Sequence, residues 1–245
     1  MSKSKQSGPL AGLKVLEFAG MGPAPFTGML LSDLGADVVR IDRAQGPDYL
    51  PEDVESRGRH SIVLDLKNPD DLATAKALAG KADILIEGFR PGVMERLGLG
   101  PKELHKTNPG LVYGRITGWG QSGPLAQKAG HDINYLSLTG ALHAMGTADK
   151  PAIPLNLIAD FGGGSLYLIM GILAALHEAR NTGQGQVIDA AMTDGVISLM
   201  NMIYGDFNAG TWSDERESNV IDGAAPFYNV YRCADDKWIS LACIE

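Results

Sequence analysis

Two side chains that can exchange protons stand at the starts of two predicted helices. His131 follows Gly130 in the stretch GHDINYLSLTG, and Asp160 precedes three glycines in the stretch PLNLIADFGGG. A histidine and an aspartate that two helix starts deliver to one small site could act there as general base and general acid. The residue types and their placement therefore favour proton transfer.

Each of these residues also has a purely structural explanation. A histidine after glycine at a helix start is often a surface loop residue, and Asp160 would be an ideal N-cap for the helix predicted over residues 161–180. The three glycines after Asp160 are harder to explain, because each costs about 1 kcal/mol inside a helix. They indicate that some other group comes close to the backbone there.

The elements that would position these residues alternate between strand and helix. Apolar runs predict strands over residues 13–19, 36–42, 61–67, 82–89, 111–116 and 186–191, and helical spacing covers residues 25–34, 70–80, 161–180 and 194–208. This alternation predicts an α/β fold with a mostly parallel sheet and flanking helices. Residues 227–233 and 238–244, separated by ADDK, predict an antiparallel hairpin.

The change in pattern along the chain predicts three parts. Residues 1–195 form a large α/β domain, residues 196–224 a helical linker, and residues 225–245 the beginning of a smaller second domain. A two-stranded hairpin alone buries too little surface to be stable. We therefore expect either that it packs on the first domain or that the sequence is truncated.

Composition limits the classes of partner and the compartment. The 245 residues include 21 basic and 29 acidic side chains, and the net charge of −8 argues against nucleic acid or an anionic membrane surface as the main partner. Two cysteines, Cys233 and Cys243, make neither a disulfide framework nor a zinc-site spacing, which predicts a cytoplasmic protein without a bound metal. The most apolar window, residues 166–176, is too short and too glycine-interrupted for a membrane span.

Basic side chains recur near the ends of the predicted strands. They are Arg40, Arg43, Arg57, Arg59, Lys67, Arg90 and Arg96. The carboxyl ends of parallel strands share one edge, so these cations could bind a phosphate-bearing ligand there, or they could be ordinary solvated charges. Gly20 and Gly22 imitate a dinucleotide-binding turn, but the third glycine is missing and Pro23 and Pro25 remove backbone donors, which favours a tight packing turn.

Several long motifs occur in a fixed order. They are PLAGLKVLEFAG (9–20), LGADVVRID (34–42), LDLK (64–67), EGFRPGV (87–93), TGWGQSGP (117–124), GHDINY (130–135) and ADFGGG (159–164). With them the chain resembles the family III CoA-transferase superfamily (CaiB/BaiF type), and within it the α-methylacyl-CoA racemases. The resemblance implies a Rossmann-like large domain, an acyl-CoA substrate without a further cofactor, and a homodimer that is interlocked in the full-length protein.

The resemblance also assigns roles to residues. It implies that His131 and Asp160 are the catalytic base and acid, that Asn156 orients Asp160, and that Glu245 pairs with His131. The CoA site that it implies is lined by Arg43, Leu64, Asp65, Leu66, Lys67, Gly88, Phe89, Arg90, Arg96, Gly130, Asp132, Ile133, Asn134 and Tyr135. In the transferases of this superfamily an aromatic residue usually occupies the position of His131, so the histidine favours a racemase.

The chemistry implied is inversion at C2 of a 2-methyl-branched acyl-CoA through an enolate, with the backbone N–H of Asp132 as a donor to the enolate oxygen. The alternatives are CoA transfer between carboxylic acids through an anhydride at Asp160, and an inactive acyl-CoA-binding fragment. An aspartate at a helix start should be stabilised as the anion, yet a proton donor must be neutral part of the time. Burial and a hydrogen bond from Asn156 could offset that effect.

Overall fold

The computed structural model describes residues 7–44 and 54–245, and its centre is one parallel sheet. The strand order is β3-β2-β1-β4-β5-β6. The strands are β1 (Lys14–Phe18), β2 (Asp37–Asp42), β3 (Arg59–Val63), β4 (Ile84–Glu87), β5 (Val112–Thr117) and β6 (Val187–Ala191). The α/β fold predicted from the strand–helix alternation is therefore confirmed.

Helices cover both faces of this sheet. They are α1 (Pro23–Asp33), α2 (Pro69–Ala79), α3 (Val93–Arg96), α4 (Pro101–Thr107), α5 (Asp132–Leu138), α6 (Leu166–Thr182), α7 (Met192–Leu199) and α8 (Asn201–Ala209). A 3-10 turn spans Val54–Ser56, and π-helical segments span Leu157–Ser165 and Val220–Ala224. The strands β7 (Tyr228–Arg232) and β8 (Trp238–Ala242) form the predicted antiparallel hairpin.

Alternate residues of each strand supply two separate cores. On one face, Val15 and Ile84 pack with Leu168 and Ile172 of α6. On the other face, Leu16 belongs to a second cluster that includes Ala75 and Ala79 of α2. Parallel strands that are covered on both faces read as continuous apolar runs. That is why the strands could be found from the sequence.

The direction in which the strands are added reverses between β1 and β4, which are neighbours in the middle of the sheet. In open parallel sheets, a crevice forms at the carboxyl ends of the two strands that flank such a reversal, and ligands bind in it. The strand ends at Phe18 and Glu87 therefore mark the place where a ligand site is expected.

Three elements differ most from their predicted bounds. β3 ends at Val63, so residues 64–67 follow the strand, and the helix predicted over residues 194–208 is divided at Met200 into α7 and α8. The α-helix after Asp160 begins at Leu166, because residues 157–165 form a wider π-helical turn. The predicted domain boundary at residue 195 falls inside α7.

Close backbone packing accounts for the glycines beside Asp160. A Cβ atom on Gly195 of α7 would overlap the carbonyl group of Gly163, and one on Gly163 would lie 2.9 Å from the backbone nitrogen of Val196. The group that approaches the glycine run is thus the backbone of α7. The predicted close approach is confirmed, and its partner is another helix.

The π-helical segment and α6 together form a helix of 26 residues, Leu157–Thr182, that is long and apolar enough to cross a membrane. The expectation that this stretch is too short for a span was therefore wrong, because the helix extends beyond the apolar window at both ends. In this fold Leu168, Ile172 and Leu176 are buried against the sheet. A core helix of a soluble protein passes the same length and composition test.

Candidate active site

His131 and Asp160 line the same cleft, which has a volume of about 530 Å³. The loops after β1, β4 and β5 form the rest of its wall, and they include Gly22, Phe89 and Trp119. The structure therefore brings together the two residues that the sequence placed at separate helix starts. The cleft lies at the carboxyl edge of the sheet, where the strand order predicts a ligand site.

His131 is the N-cap residue of α5, as predicted, and it is exposed. Its backbone N–H donates a hydrogen bond of 3.0 Å to Oδ1 of Asn134, three residues further along the chain. This bond fixes the helix start. Asn134 therefore supports the backbone of His131 through its side chain.

Asp160 is not the N-cap of a helix, contrary to the prediction, because it is the fourth residue of the π-helical segment Leu157–Ser165. The capping role belongs to the side chain of Asp132. Its Oδ2 accepts hydrogen bonds from the backbone N–H groups of Ala159 at 2.8 Å and Asp160 at 2.9 Å. The carboxylate of Asp132 is thus turned toward the Asp160 backbone, so the place in the CoA site that the resemblance implies for Asp132 stays a prediction that its side chain does not support.

The surroundings of Asp160 favour its protonated form. Burial raises the pKa of Asp160 to about 6, the charge of Asp132 raises it as well, and His131 opposes both effects. Asp160 lies in the first turn of the π-helical segment, a position that favours the anion, and burial acts against that preference. An acid that titrates near pH 6 can both give and take a proton close to neutral pH.

Tyr135 supports the backbone just before His131. Its hydroxyl donates a hydrogen bond of 2.5 Å to the carbonyl oxygen of Gly130, and its ring meets that of Trp119 edge to face at 4.7 Å. A Cβ atom on Gly118 would overlap the Tyr135 ring. Burial raises the pKa of Tyr135 to about 12, so the hydroxyl remains a donor.

A second pocket of about 830 Å³ adjoins the cleft, and Phe89 and Arg90 line both. Four exposed cations surround it, namely Arg43, Lys67, Arg90 and Arg96. Exposed cations grouped around one crevice suit a ligand that carries several phosphates. The segment Leu64, Asp65 and Leu66 also lines this pocket, whereas Gly88 lines the cleft.

Three other cations from the strand-end set are paired with carboxylates of the chain itself. Arg40 pairs with Asp42 at 3.0 Å, Arg57 with Asp33 at 2.5 Å, and Arg59 with Glu17 at 2.6 Å. Of the two alternatives left open for the strand-end cations, phosphate binding is therefore not supported for these three. Arg59 stands at the amino end of β3, which is the opposite edge from the pocket.

Four residues assigned by resemblance do not make the expected contacts. Within residues 7–44 and 54–245, the Asn156 side chain makes no hydrogen bond to Asp160, and Glu245 makes no ion pair with His131; both residues are exposed. Glu245 follows a hairpin whose strands pair only with each other. Ile133 is 37% exposed and Asn134 lines a shallow pocket beside Trp119, so neither faces the cleft.

Other residues of the cleft were missed in the sequence. Met21, Trp119, Lys128 and Met192 line it. Lys128 lies two residues before Gly130, and a cation so close to a candidate catalytic histidine was an available signal. The apolar residues carried no such signal, because an exposed methionine or a loop tryptophan is ordinary in a globular protein.

The arrangement can move a proton at a carbon atom. The cleft is partly apolar and contains one candidate base, His131, and one candidate acid, Asp160. The basic pocket beside it could bind a polyanionic part of a ligand. Among the residues that the structure describes, no three His, Cys, Asp or Glu side chains are grouped as a metal site would require.

Comparison with known proteins decides the family. The family model for CoA-transferase family III matches residues 10–245. The chain belongs to this family. It is 46% identical over 239 residues to the human protein named alpha-methylacyl-CoA racemase, and 33% identical over 251 residues to a succinyl-CoA--D-citramalate CoA-transferase of Chloroflexus aurantiacus.

A solved structure supports the same assignment. A CAIB/BAIF family protein from Brucella suis superposes with a TM-score of 0.84 at 30% identity, covering 97% of this chain and 67% of that one. The sequence matches cover 96% of this chain for the human protein and 97% for the Chloroflexus protein. The chain spans 62% of the length of each of these two curated relatives.

Proposed function

We propose that this chain carries the acyl-CoA-binding and proton-transfer site of an α-methylacyl-CoA racemase-like isomerase. The observation that carries the proposal is that His131 and Asp160 line one cleft, next to a pocket surrounded by four cations. The racemase relatives support the choice of substrate class, because they are more similar to this chain than the transferase is.

The basic pocket would bind the phosphates of CoA. Arg43, Lys67, Arg90 and Arg96 supply the positive charge, and Phe89 offers an apolar surface on which the Arg43 guanidinium lies 5.8 Å from the ring centroid. Because Phe89 and Arg90 also line the cleft, a thioester attached to CoA bound there would reach toward His131 and Asp160.

The reaction would be a proton transfer at C2 of the thioester. His131 removes the C2 proton, and the electron pair of that C–H bond is delocalised onto the thioester oxygen as an enolate. Protonated Asp160 then delivers a proton to the opposite face of C2, and in the reverse direction the two residues exchange roles. The backbone N–H of Asp132 is the proposed donor to the enolate oxygen, a kind of contact worth a few kcal/mol.

A test in D₂O separates this reaction from its alternatives. The protein is incubated with one epimer of a 2-methylacyl-CoA, without any acceptor acid, and the two epimers are separated and examined for deuterium at C2. Deuterium in both epimers supports the racemase. Movement of CoA only after a carboxylic acid is added, with no exchange, supports transfer through an Asp160 anhydride, and binding without either reaction supports an acyl-CoA-binding protein.

The variant His131→Ala should lose deuterium exchange and keep CoA affinity near that of the wild type. The reason is that His131 lies in the cleft and outside the basic pocket. Exchange rates and CoA titrations measure the two effects separately. The matched control is His177→Ala, which removes an exposed histidine of α6 and should leave both unchanged. Loss of both exchange and CoA binding would show that His131 is structural.

We also propose that the protein is a cytoplasmic homodimer that needs no cofactor beyond the CoA of its substrate. The support for association is a set of exposed apolar side chains along the π-helical segment and α6, namely Leu157, Leu166, Met170 and Leu173. Contiguous exposed apolar surface is typical of interfaces. Sedimentation should give twice the mass of one chain, and a monomer at all concentrations would contradict the dimer.

A further inference from the structure

The side chain of Asp132 is the most unusual charged group beside the cleft. It is 5% exposed, and both of its hydrogen bonds are made by one oxygen, Oδ2, to the backbone N–H groups of residues 159 and 160. Its Oδ1 is buried and has no hydrogen-bond partner among the residues that the structure describes. The proposed proton transfer uses the backbone of Asp132 and gives this carboxylate no part.

A buried carboxylate with a free oxygen is costly, because burial penalises the charged form unless hydrogen bonds compensate for it. An asparagine could accept the same two hydrogen bonds without carrying a charge. Capping of the π-helical segment therefore does not by itself explain an aspartate here. The negative charge beside Asp160 is the property that an uncharged cap would lack.

Charged and polar groups from three sides surround Asp160. His131, Asp132 and Tyr135 of α5 face it, His131 opposing and Asp132 favouring its protonation. At the start of α1 the neighbour is Gly22, on which a Cβ atom would lie 3.3 Å from Oδ2 of Asp160. Lys128 and Arg90 line the same cleft.

We propose that Asp132 is a positioning residue for Asp160. Its carboxylate fixes the backbone that carries Asp160 through two hydrogen bonds, and it places a second negative charge beside the acid. Asp160 therefore keeps its proton to a higher pH and remains able to donate it. This inference rests on the proposed function for its catalytic consequence, but not for its effect on Asp160 itself. The raised pKa of Asp160, with Asp132 among its causes, agrees with this geometry.

The variant Asp132→Asn separates charge from capping. Asparagine can still accept both backbone hydrogen bonds, so the fold should be kept, while the pKa of Asp160 should fall toward its ordinary value. The step in which Asp160 donates its proton should then slow about tenfold at neutral pH, as the protonated fraction falls. KM should change little. Asp132→Ala should lose both the negative charge and the two hydrogen bonds to the backbone.

Two measurements read the outcome. ¹³C NMR of aspartate-labelled protein gives the titration of Asp160, and deuterium exchange at C2 gives the pH profile of the reaction. A matched control is Asp70→Asn, which removes an exposed acidic group from the first turn of α2 and should leave both readouts unchanged. An Asp132→Asn protein in which Asp160 titrates as in the wild type would overturn the proposal.

The wild-type titration provides a test that needs no variant. Asp160 should titrate near pH 6, and a titration near the ordinary aspartate value would overturn the inference even if Asp132→Asn fails to fold. Because this signal does not depend on turnover, it also distinguishes the two failures. A wild-type protein without C2 exchange would contradict the proposed function, while the NMR titration would still decide the role of Asp132.

Discussion

An aspartate in water loses its proton near pH 4, which would leave Asp160 without a proton to give at neutral pH. Burial in the cleft wall and the adjacent Asp132 charge move that pKa to about 6. The carboxyl group is the same in both cases, and its neighbours set the pH range in which it can donate a proton. The same residue type at Asp33, exposed and hydrogen-bonded to Arg57, has its pKa lowered instead.

The pH dependence of exchange should follow from this shift. As the pH rises above about 6, the protonated fraction of Asp160 falls about tenfold for each pH unit, and as it drops below about 6 the carboxylate needed for the reverse direction is lost. Because both directions require one proton shared by the two residues, the exchange rate should describe a bell-shaped curve. Initial exchange rates between pH 4.5 and 9 measure it, and a rate that stays constant over this whole range would contradict the role of Asp160.

At the scale of elements, the position of Asp160 depends on how α7 packs on the π-helical segment. Gly163 and Gly195 bring the two backbones into contact, which leaves no room for a Cβ atom on either residue. The segment before α6 is held between α7 and the Asp132 side chain. A change at this crossing should therefore move Asp160 without touching the cleft directly.

The variant Gly195→Ala should destabilise the protein by about 1–3 kcal/mol, because the new methyl group forces the two helices apart. Gly205 lies within α8 with no atom near the position of a Cβ, so Gly205→Ala should instead stabilise the protein by about 0.5–1 kcal/mol. Denaturant unfolding of both variants gives the comparison. Equal stabilities would show that the α7 crossing can relax.

At the scale of the whole molecule, a buried ion pair joins elements that are far apart in sequence. Glu17 of β1 is paired at 2.6 Å with Arg59 of β3, and their side chains are 0% and 2% exposed. Arg59 also donates a hydrogen bond to the carbonyl oxygen of Pro25 in α1. Burial raises the pKa of Glu17 to about 7, although Arg59 opposes the shift.

The variant Arg59→Met should cost about 3 kcal/mol of unfolding free energy at neutral pH, because it leaves Glu17 buried without its cation. Removing Arg59 raises the pKa of Glu17 further above its wild-type value of about 7, so the deficit relative to the wild type should grow as the pH rises above about 7, where only the wild-type Glu17 is readily ionised. Arg57→Met is the control, since the Arg57–Asp33 pair is exposed and should matter little. Similar losses in both variants would contradict the importance of burial.

The sequence by itself determined the strand pattern, the α/β class and the pair His131 and Asp160 as residues of one site. Apolar runs reveal strands because a covered parallel sheet needs apolar side chains on both faces. His131, Asp160 and the cations of the basic pocket were found because their residue types carry chemistry wherever they lie. The hairpin was found for a similar local reason, since its alternation and turn are contained in one short stretch.

The tertiary structure decided which polar groups meet. Asp132 could be assigned to the CoA site from its motif, but its carboxylate binds backbone 27 and 28 residues away. Arg40, Arg57 and Arg59 could be ligand cations in sequence, and in the fold each is paired with a carboxylate of the same chain. The physical reason is that hydrogen bonds and pKa values depend on burial and on neighbours in space, and a one-dimensional pattern specifies neither.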